Sequence, residues 1–261
     1  MSKNPLQTRD SLIKGLRKLP KGTPVTTAQC ERYWNASRQS VHWYAKSGWL
    51  DQLGHGYYIR EGETPTVTGT VAALEAAGVD VHIAGKTALA LKGFSHYVSL
   101  GKGKLYLYGY TVRRLPKWMD NFFSIELKTT KLFKEQDSYD SRLFVRQFDS
   151  EERSSMYAPY VSDPERALLE MLDNVPATQS MQEAKEIMES MFALNPGKLT
   201  ILLEHCIKIK VKRLFWQLAS ELDLPVTKEI DFSKIDFGSD SPYFIMTSNK
   251  TLVIKKPTKG Q

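Results

Sequence analysis

The stretch TTAQCERYWNASRQSVHWYAKSGWLDQLGHGYYIR, residues 26–60, decides the fold of the first part of the chain. A hydroxyl at a helix N-cap accepts from an amide that has no partner inside the helix, and Thr26 or Thr27 can serve. Gln29 stands three residues after Thr26, the spacing of a reciprocal capping box, so a short helix is predicted to about Trp34. Asn35 breaks it and Ser37 can cap the next. Residues 37–47 then read as a helix with Val41, Tyr44 and Ala45 turned inward and Gly48 ending it. Trp49-Leu50 and Tyr57-Tyr58-Ile59 flank the tight Gly54-His55-Gly56 turn as two short strands, with Tyr57 and Tyr58 feeding the domain's core from alternate faces. Upstream, Leu6, Leu12, Ile13, Leu16 and Leu19 recur at helical spacing until Pro20 and Gly22 interrupt. Three helices followed by a hairpin is the order of a winged helix-turn-helix, expected over residues 1–62 with the hairpin as its wing.

Glu61 to Thr66 contains Gly62 and Pro65 and reads as a linker. Residues 67–261 then mix helices and strands, so the fold class expected is α+β: a winged helix-turn-helix domain followed by a mixed α/β C-terminal domain. Helical segments are predicted at 67–77, 87–91, 181–193, 196–206 and 211–222. Extended segments are predicted at 79–83, 105–110, 123–127, 143–148, 243–246 and 251–255, with a turn at Asn249-Lys250. Ser162-Asp163-Pro164-Glu165 is a helix-start signal, with Ser162 and Glu165 at capping-box spacing and proline in the first turn. A possible inner boundary lies near Pro159, where a sheet-rich half gives way to a helix-rich one.

Charge divides unevenly along the 261 residues, whose net charge is +7. Residues 1–62 hold ten Lys/Arg against four Asp/Glu, residues 63–194 fifteen against eighteen, and residues 195–261 eleven against seven. A basic module on a near-neutral body is the electrostatic footprint of a polyanion binder, since Lys and Arg displace phosphate counterions, although solubility alone also produces such an excess. No apolar run approaches the roughly 18 residues of a membrane span, and residues 1–10 lack the apolar stretch of an export signal, so a cytoplasmic protein without a membrane partner is expected. Cys30 and Cys206 have no ligand or disulfide spacing and are expected as two buried free thiols.

Catalytic chemistry finds little support. Gly85-Lys86-Thr87 before a helix resembles the end of a phosphate-binding loop, but the earlier glycine that loop requires falls on Asp80, an anion where phosphate would lie. A helix entry packed through Gly85 and capped by Thr87 is the simpler reading. Gly238-Ser239 before Asp240 is similar to a nucleotidyltransferase start, yet no later acid completes it, and Asp231, Asp236 and Asp240 read as turn residues. His42, His55, His82, His96 and His205 have neither ligand nor catalytic spacing. No enzyme, cofactor or metal is expected. A nucleotide-binding or nucleic-acid-modifying enzyme and a protein-binding adaptor stand as the alternatives.

The third helix carries the stronger signal. Ser37, Arg38, Gln39, His42, Trp43 and Lys46 lie at its start and along one broad face, suited to a major groove about 12 Å wide. Arginine can bond guanine bidentately and glutamine adenine, so Arg38 and Gln39 are the base-edge candidates, with Lys18, Lys21 and Lys46 as phosphate contacts. His55 and Arg60, with Tyr57, are candidates for the backbone or minor groove beside the wing. Trp43 is expected half-buried against that wing.

The order of motifs resembles the AbiEi-type antitoxins, over nearly the whole chain. The residues that carry the resemblance are Ser47-Gly48-Trp49-Leu50, Gly56-Tyr57-Tyr58, His82 through Leu89, Gly93 with His96-Tyr97, Ser162 through Ala167, Arg213-Leu214-Phe215 and Asp231 through Gly238. The resemblance implies a transcriptional autorepressor that binds inverted repeats in its own promoter, and a C-terminal domain that counteracts a nucleotidyltransferase-like toxin in a type IV, abortive-infection system. It implies double-stranded DNA as partner, no assumed stable complex with the toxin, and a monomer or weak dimer paired on DNA. Ser239-Asp240-Ser241-Pro242 stands where family members often carry a longer basic stretch.

Overall fold

The computed structural model describes residues 5–94, 102–138, 141–148, 157–246 and 251–257, with backbone only for 5–10. The side chain of Leu6, the His96-Tyr97 pair and the Asn249-Lys250 turn lie outside the described residues. Thr26 caps as its spacing requires: its hydroxyl accepts from the Gln29 amide at 3.1 Å while Gln29 Oε1 accepts from the Thr26 amide at 2.7 Å. The elements that follow are α1 (Pro5–Lys18), β1 (Val25–Thr26), α2 (Thr27–Trp34), α3 (Arg38–Lys46), β2 (Leu50–Gly54) and β3 (Tyr57–Arg60). Asn35 closes α2 in the left-handed region at φ 54°, which a short polar side chain tolerates, and the Ser37 hydroxyl accepts from the Ser40 amide to start α3. The strands pair antiparallel in the order β1-β3-β2. Leu12, Leu16, Cys30, Val41, Tyr44, Leu50 and Tyr58 fill the space between helices and sheet. A β-carbon at Gly15 would collide with the Trp34 indole, so glycine lets α1 lie against α2.

Two expectations are corrected here. Tyr57 does not serve the same core as Tyr58; it packs against the larger core of the C-terminal body, 5.6 Å from the Trp118 ring. Trp43 is half-buried as expected, 50 % exposed with its ring edge-on to Tyr44. The segment 61–66 is tied down: the Gly22 amide donates to Glu63 at 2.8 Å, and the Thr66 amide donates to the Gly22 carbonyl at 2.9 Å. Thr66 then caps α4 (Val67–Ala76) through the Gly69 amide.

The body is built on a mixed five-stranded sheet in the order β6-β5-β4-β8-β7, from β4 (His82–Ile83), β5 (Lys104–Tyr108), β6 (Ser124–Lys128), β7 (Val145–Gln147) and β8 (Tyr160–Ser162). The pairs β4–β8 and β5–β6 are parallel, and β4–β5 and β7–β8 antiparallel. Helices α5 (Gly85–Leu91), α6 (Pro164–Asp173), α7 (Met181–Glu189), α8 (Pro196–His205) and α9 (Ile209–Glu221) pack together around one apolar core. Every residue of α6 from Glu165 to Asp173 is buried, so this helix is the centre of the body. The hairpin of β9 (Tyr243–Met246) and β10 (Thr251–Ile254) tucks Ile245 and Ile254 inward.

Two cap assignments change. Asp163, not Ser162, is the N-cap of α6, and its side chain makes no cap bond; Ser162 belongs to β8 and donates its hydroxyl to Glu170 at 2.8 Å. Ala84 is the N-cap of α5, and the Thr87 hydroxyl accepts from the Tyr106 amide of β5 instead. In both cases a tertiary partner outcompetes the local amide. The strand β8 was not legible in sequence because three residues carry no usable period. Among the described residues no helix is long and apolar enough to cross a membrane.

Candidate nucleic-acid interface

Helix α3 and the wing face each other across an open groove of about 520 Å³, lined by Thr27, Arg38, Gln39, His42, Gln52, His55, Gly56 and Tyr58. The capped start of α3 sets Arg38 and Gln39 in its first turn, and one further turn brings His42 onto the same side. Arg38, Gln39, His42 and His55 are exposed and, among the described residues, make no hydrogen bond or ion pair with the protein. Their donor and acceptor groups are therefore available to a ligand at no cost in broken internal bonds. Lys18, Lys21, Ser37 and Lys46 are also exposed but lie outside the lining of the groove. Thr27 and Gln52 line it and were missed; Gln52 faces outward on β2 two residues before the glycine of the turn, a position that alternation along the strand marks as exposed.

Arg60 occupies a different setting. Its guanidinium donates to the Leu16 carbonyl at 3.0 Å and the Pro20 carbonyl at 3.2 Å and pairs with Glu63 at 2.8 Å. These bonds satisfy a carbonyl in the last turn of α1 and one in the turn after it, and pin the wing's last strand to them.

The phosphate-loop likeness at Gly85 resolves into an internal contact. The Gly85 amide donates to Glu170 Oε2 at 3.0 Å, so a carboxylate of α6 already holds the anion position at the start of α5, and Lys86 pairs with Glu183. Gly85 has φ +47°, which accounts for glycine there. Glu170 is the hub of a buried polar cluster. It accepts from Arg166 Nε at 2.7 Å and lies 3.1 Å from His82 Nε2; Arg166 forms a second, forked pair with Glu135 at 2.7 and 2.8 Å, and Tyr110 donates to Glu135 at 2.7 Å. Arg142 donates to His82 Nδ1 at 2.7 Å, so Nδ1 is an acceptor and the neutral ring presents its Nε2 hydrogen to Glu170. Burial is the main reason that the His82 pKa falls to about 4, consistent with this neutral tautomer. Burial alone would raise Glu170, but the charge of Arg166 and the His82 hydrogen bond outweigh it and hold the carboxyl at about 2.

The Gly238-Ser239 likeness is structural too. Arg213, buried on α9, donates to the carbonyls of Phe237 at 2.7 Å, Ser241 at 2.7 Å and Ser239, while the Gly238 amide donates to Asp236 at 2.8 Å. One guanidinium thus clamps the turn between α9 and the final hairpin. Both cysteines are buried free thiols, with burial pushing Cys30 up to about 12 and Cys206 to about 11. Among the described residues no group of three or more His, Cys, Asp or Glu could hold a metal ion.

Residues 8–100 match the family model described as transcriptional regulator, AbiEi antitoxin N-terminal domain, and residues 102–253 match transcriptional regulator, AbiEi antitoxin, type IV TA system. No curated protein matches the chain. Among solved structures, the Rv2827c protein of Mycobacterium tuberculosis is similar with a TM-score of 0.55 at 14% identity, covering 94% of this chain and 90% of that one, a likeness of fold. The matched descriptions are of regulators and antitoxins, not of an enzyme. With both parts of the sequence matched, the chain belongs to the AbiEi antitoxin family of transcriptional regulators of type IV toxin–antitoxin systems.

Proposed function

We propose that residues 1–62 are an operator-binding head and residues 67–261 an antitoxin body, and that the protein represses its own operon by binding inverted repeats in the promoter while counteracting a nucleotidyltransferase-like toxin. The observation that carries the DNA half is the convergence of Arg38, Gln39, His42 and His55, all exposed and without an internal partner among the described residues, on one groove between α3 and the wing. Arg38 and Gln39 read base edges from the start of α3, His42 and His55 border them, and Lys18, Lys21, Ser37 and Lys46 contact phosphates. Arg60 holds the wing in place from behind. A twofold operator pairs two protomers, so a monomer in solution assembles as a pair on DNA.

The test is a fluorescence-anisotropy titration of promoter DNA against a scrambled duplex over a range of salt. A sequence-preferring, salt-sensitive isotherm that Arg38→Ala with Gln39→Ala abolishes is expected. Equal binding of both duplexes, unchanged in that variant, would overturn the regulator reading, and a stable toxin complex without DNA binding would favour an adaptor.

A further inference from the structure

The wing does not rest on its own domain alone. Gly54 and Tyr57 of the wing lie against Trp118, which the body supplies from the 3₁₀ turn Lys117–Asn121. A β-carbon on Gly54 would come within 2.9 Å of the Trp118 ring, so the turn is glycine where it touches the indole. Tyr57, the first residue of the returning strand, packs on the same ring, and Leu53 joins the body's core beside it. Trp118 is itself buried and braced by Phe122. His55, one residue from Gly54 and one from Gly56, is the wing's contribution to the groove.

Two further ties fix how the head sits. Tyr157, which follows the body's strands β6 and β7, enters the head's core with Cys30 and Tyr58, and the Gly22 turn is bonded to Glu63 and Thr66. The head is thereby held at three places spread over its surface, the wing being one of them.

We infer that Trp118 is a positioning residue for DNA recognition: a body residue that sets the height and tilt of the wing, and so the distance between His55 and the base-reading start of α3. The inference rests on the operator-binding reading of the head. It makes the body part of the recognition geometry, so that a deletion of residues beyond the head removes wing contacts that the head's own sequence cannot supply.

The experiment compares the full chain with Trp118→Ala, Trp118→Phe and Trp118→Leu, by hydroxyl-radical footprinting on promoter DNA, anisotropy at several salt concentrations and hydrogen exchange of the wing amides. Trp118→Ala is expected to lose the protected nucleotides beside the wing, keep those beneath α3, exchange faster at residues 52–58 and bind the promoter about tenfold more weakly, the scale of one lost specific contact. The flat ring of Trp118→Phe should restore most of this, and His55→Ala should add nothing in the Trp118→Ala background. Trp118→Leu keeps apolar volume without the flat ring and carries the comparison where alanine costs the fold. A folded Trp118→Ala or Trp118→Leu with the full footprint and wild-type exchange at the wing would overturn the inference while leaving DNA binding intact. A wild-type chain with no footprint at all would sink the operator-binding reading, and this role of Trp118 with it.

Discussion

Arg38 and Arg166 are the same residue in opposite circumstances. Arg38 stands at the open end of α3 with no protein partner among the described residues, whereas Arg166 is fully buried in α6 and spends its guanidinium on two carboxylates, Glu135 and Glu170. The histidines divide in the same way: His55 is exposed on the wing, and His82 is sealed between Arg142 and Glu170. Polar groups whose bonds are all satisfied inside the protein specify a core, and those left open to solvent are available for recognition. In this molecule the groove beside α3 holds the second kind and the cluster around α6 the first.

The comparison predicts most sharply what happens when the buried side is broken. Arg166→Met leaves Glu135 and Glu170 buried without a counter-charge, and urea denaturation should show a loss of about 3–5 kcal/mol. A change within about 0.5 kcal/mol, the range of ordinary surface substitutions, would mean that the cluster is solvated and the contrast false.

Acid should weaken the same cluster. The folded pKa of His82, about 4, lies below the ordinary 6.5, so the unfolded chain takes up the proton first. This contribution to stability is whole above pH 6.5 and is lost as pH falls toward 4; Glu170, at about 2 against the usual 4.5, continues the loss from about pH 4.5 downward. Between pH 7 and 5 the His82 share amounts to about 2 kcal/mol, and His82→Gln should remove that part of the slope of stability against pH. An identical slope in wild type and variant would assign the acid sensitivity elsewhere.

On the open side the effects belong to binding rather than folding. Arg38→Ala should weaken promoter affinity about tenfold and relax preference at one base position, the usual result of removing a bidentate base contact, with an unchanged thermal midpoint. A drop in midpoint with no change in base preference would move Arg38 to the structural side of the comparison. Ser37→Ala tests the seam between the two, since its hydroxyl caps the helix that presents Arg38 and Gln39. It should cost about 1 kcal/mol of stability and only a modest fraction of affinity, measured by calorimetry alongside anisotropy.

Much of the head was readable because its signals are local. Thr26 with Gln29, Ser37 and the Gly54-His55-Gly56 turn act within four residues of themselves, and hydroxyl caps and glycine turns work the same way in most surroundings. The groove followed from them, since a helix start and a hairpin tip placed on one side bring Arg38, Gln39, His42 and His55 together. Arg60 could not be read in this manner: nothing in its neighbourhood indicates that carbonyls 40 and 44 residues away need a donor. Ser162 and Thr87 misled for the same reason, as each sits at cap spacing yet bonds across the fold.

Sequence alone determined the helix order, the wing, the mixed character of the body, the basic bias of the first 62 residues and the set of motifs that marks the family. Tertiary structure alone decided which charges face inward, because a buried charge is tolerated only where a counter-charge meets it, and Arg166, beside its helix neighbour Glu170, needs Glu135 from a distant segment as well. It also decided that the wing leans on Trp118, since the packing of an aromatic ring against a glycine turn more than 60 positions away has no local signature.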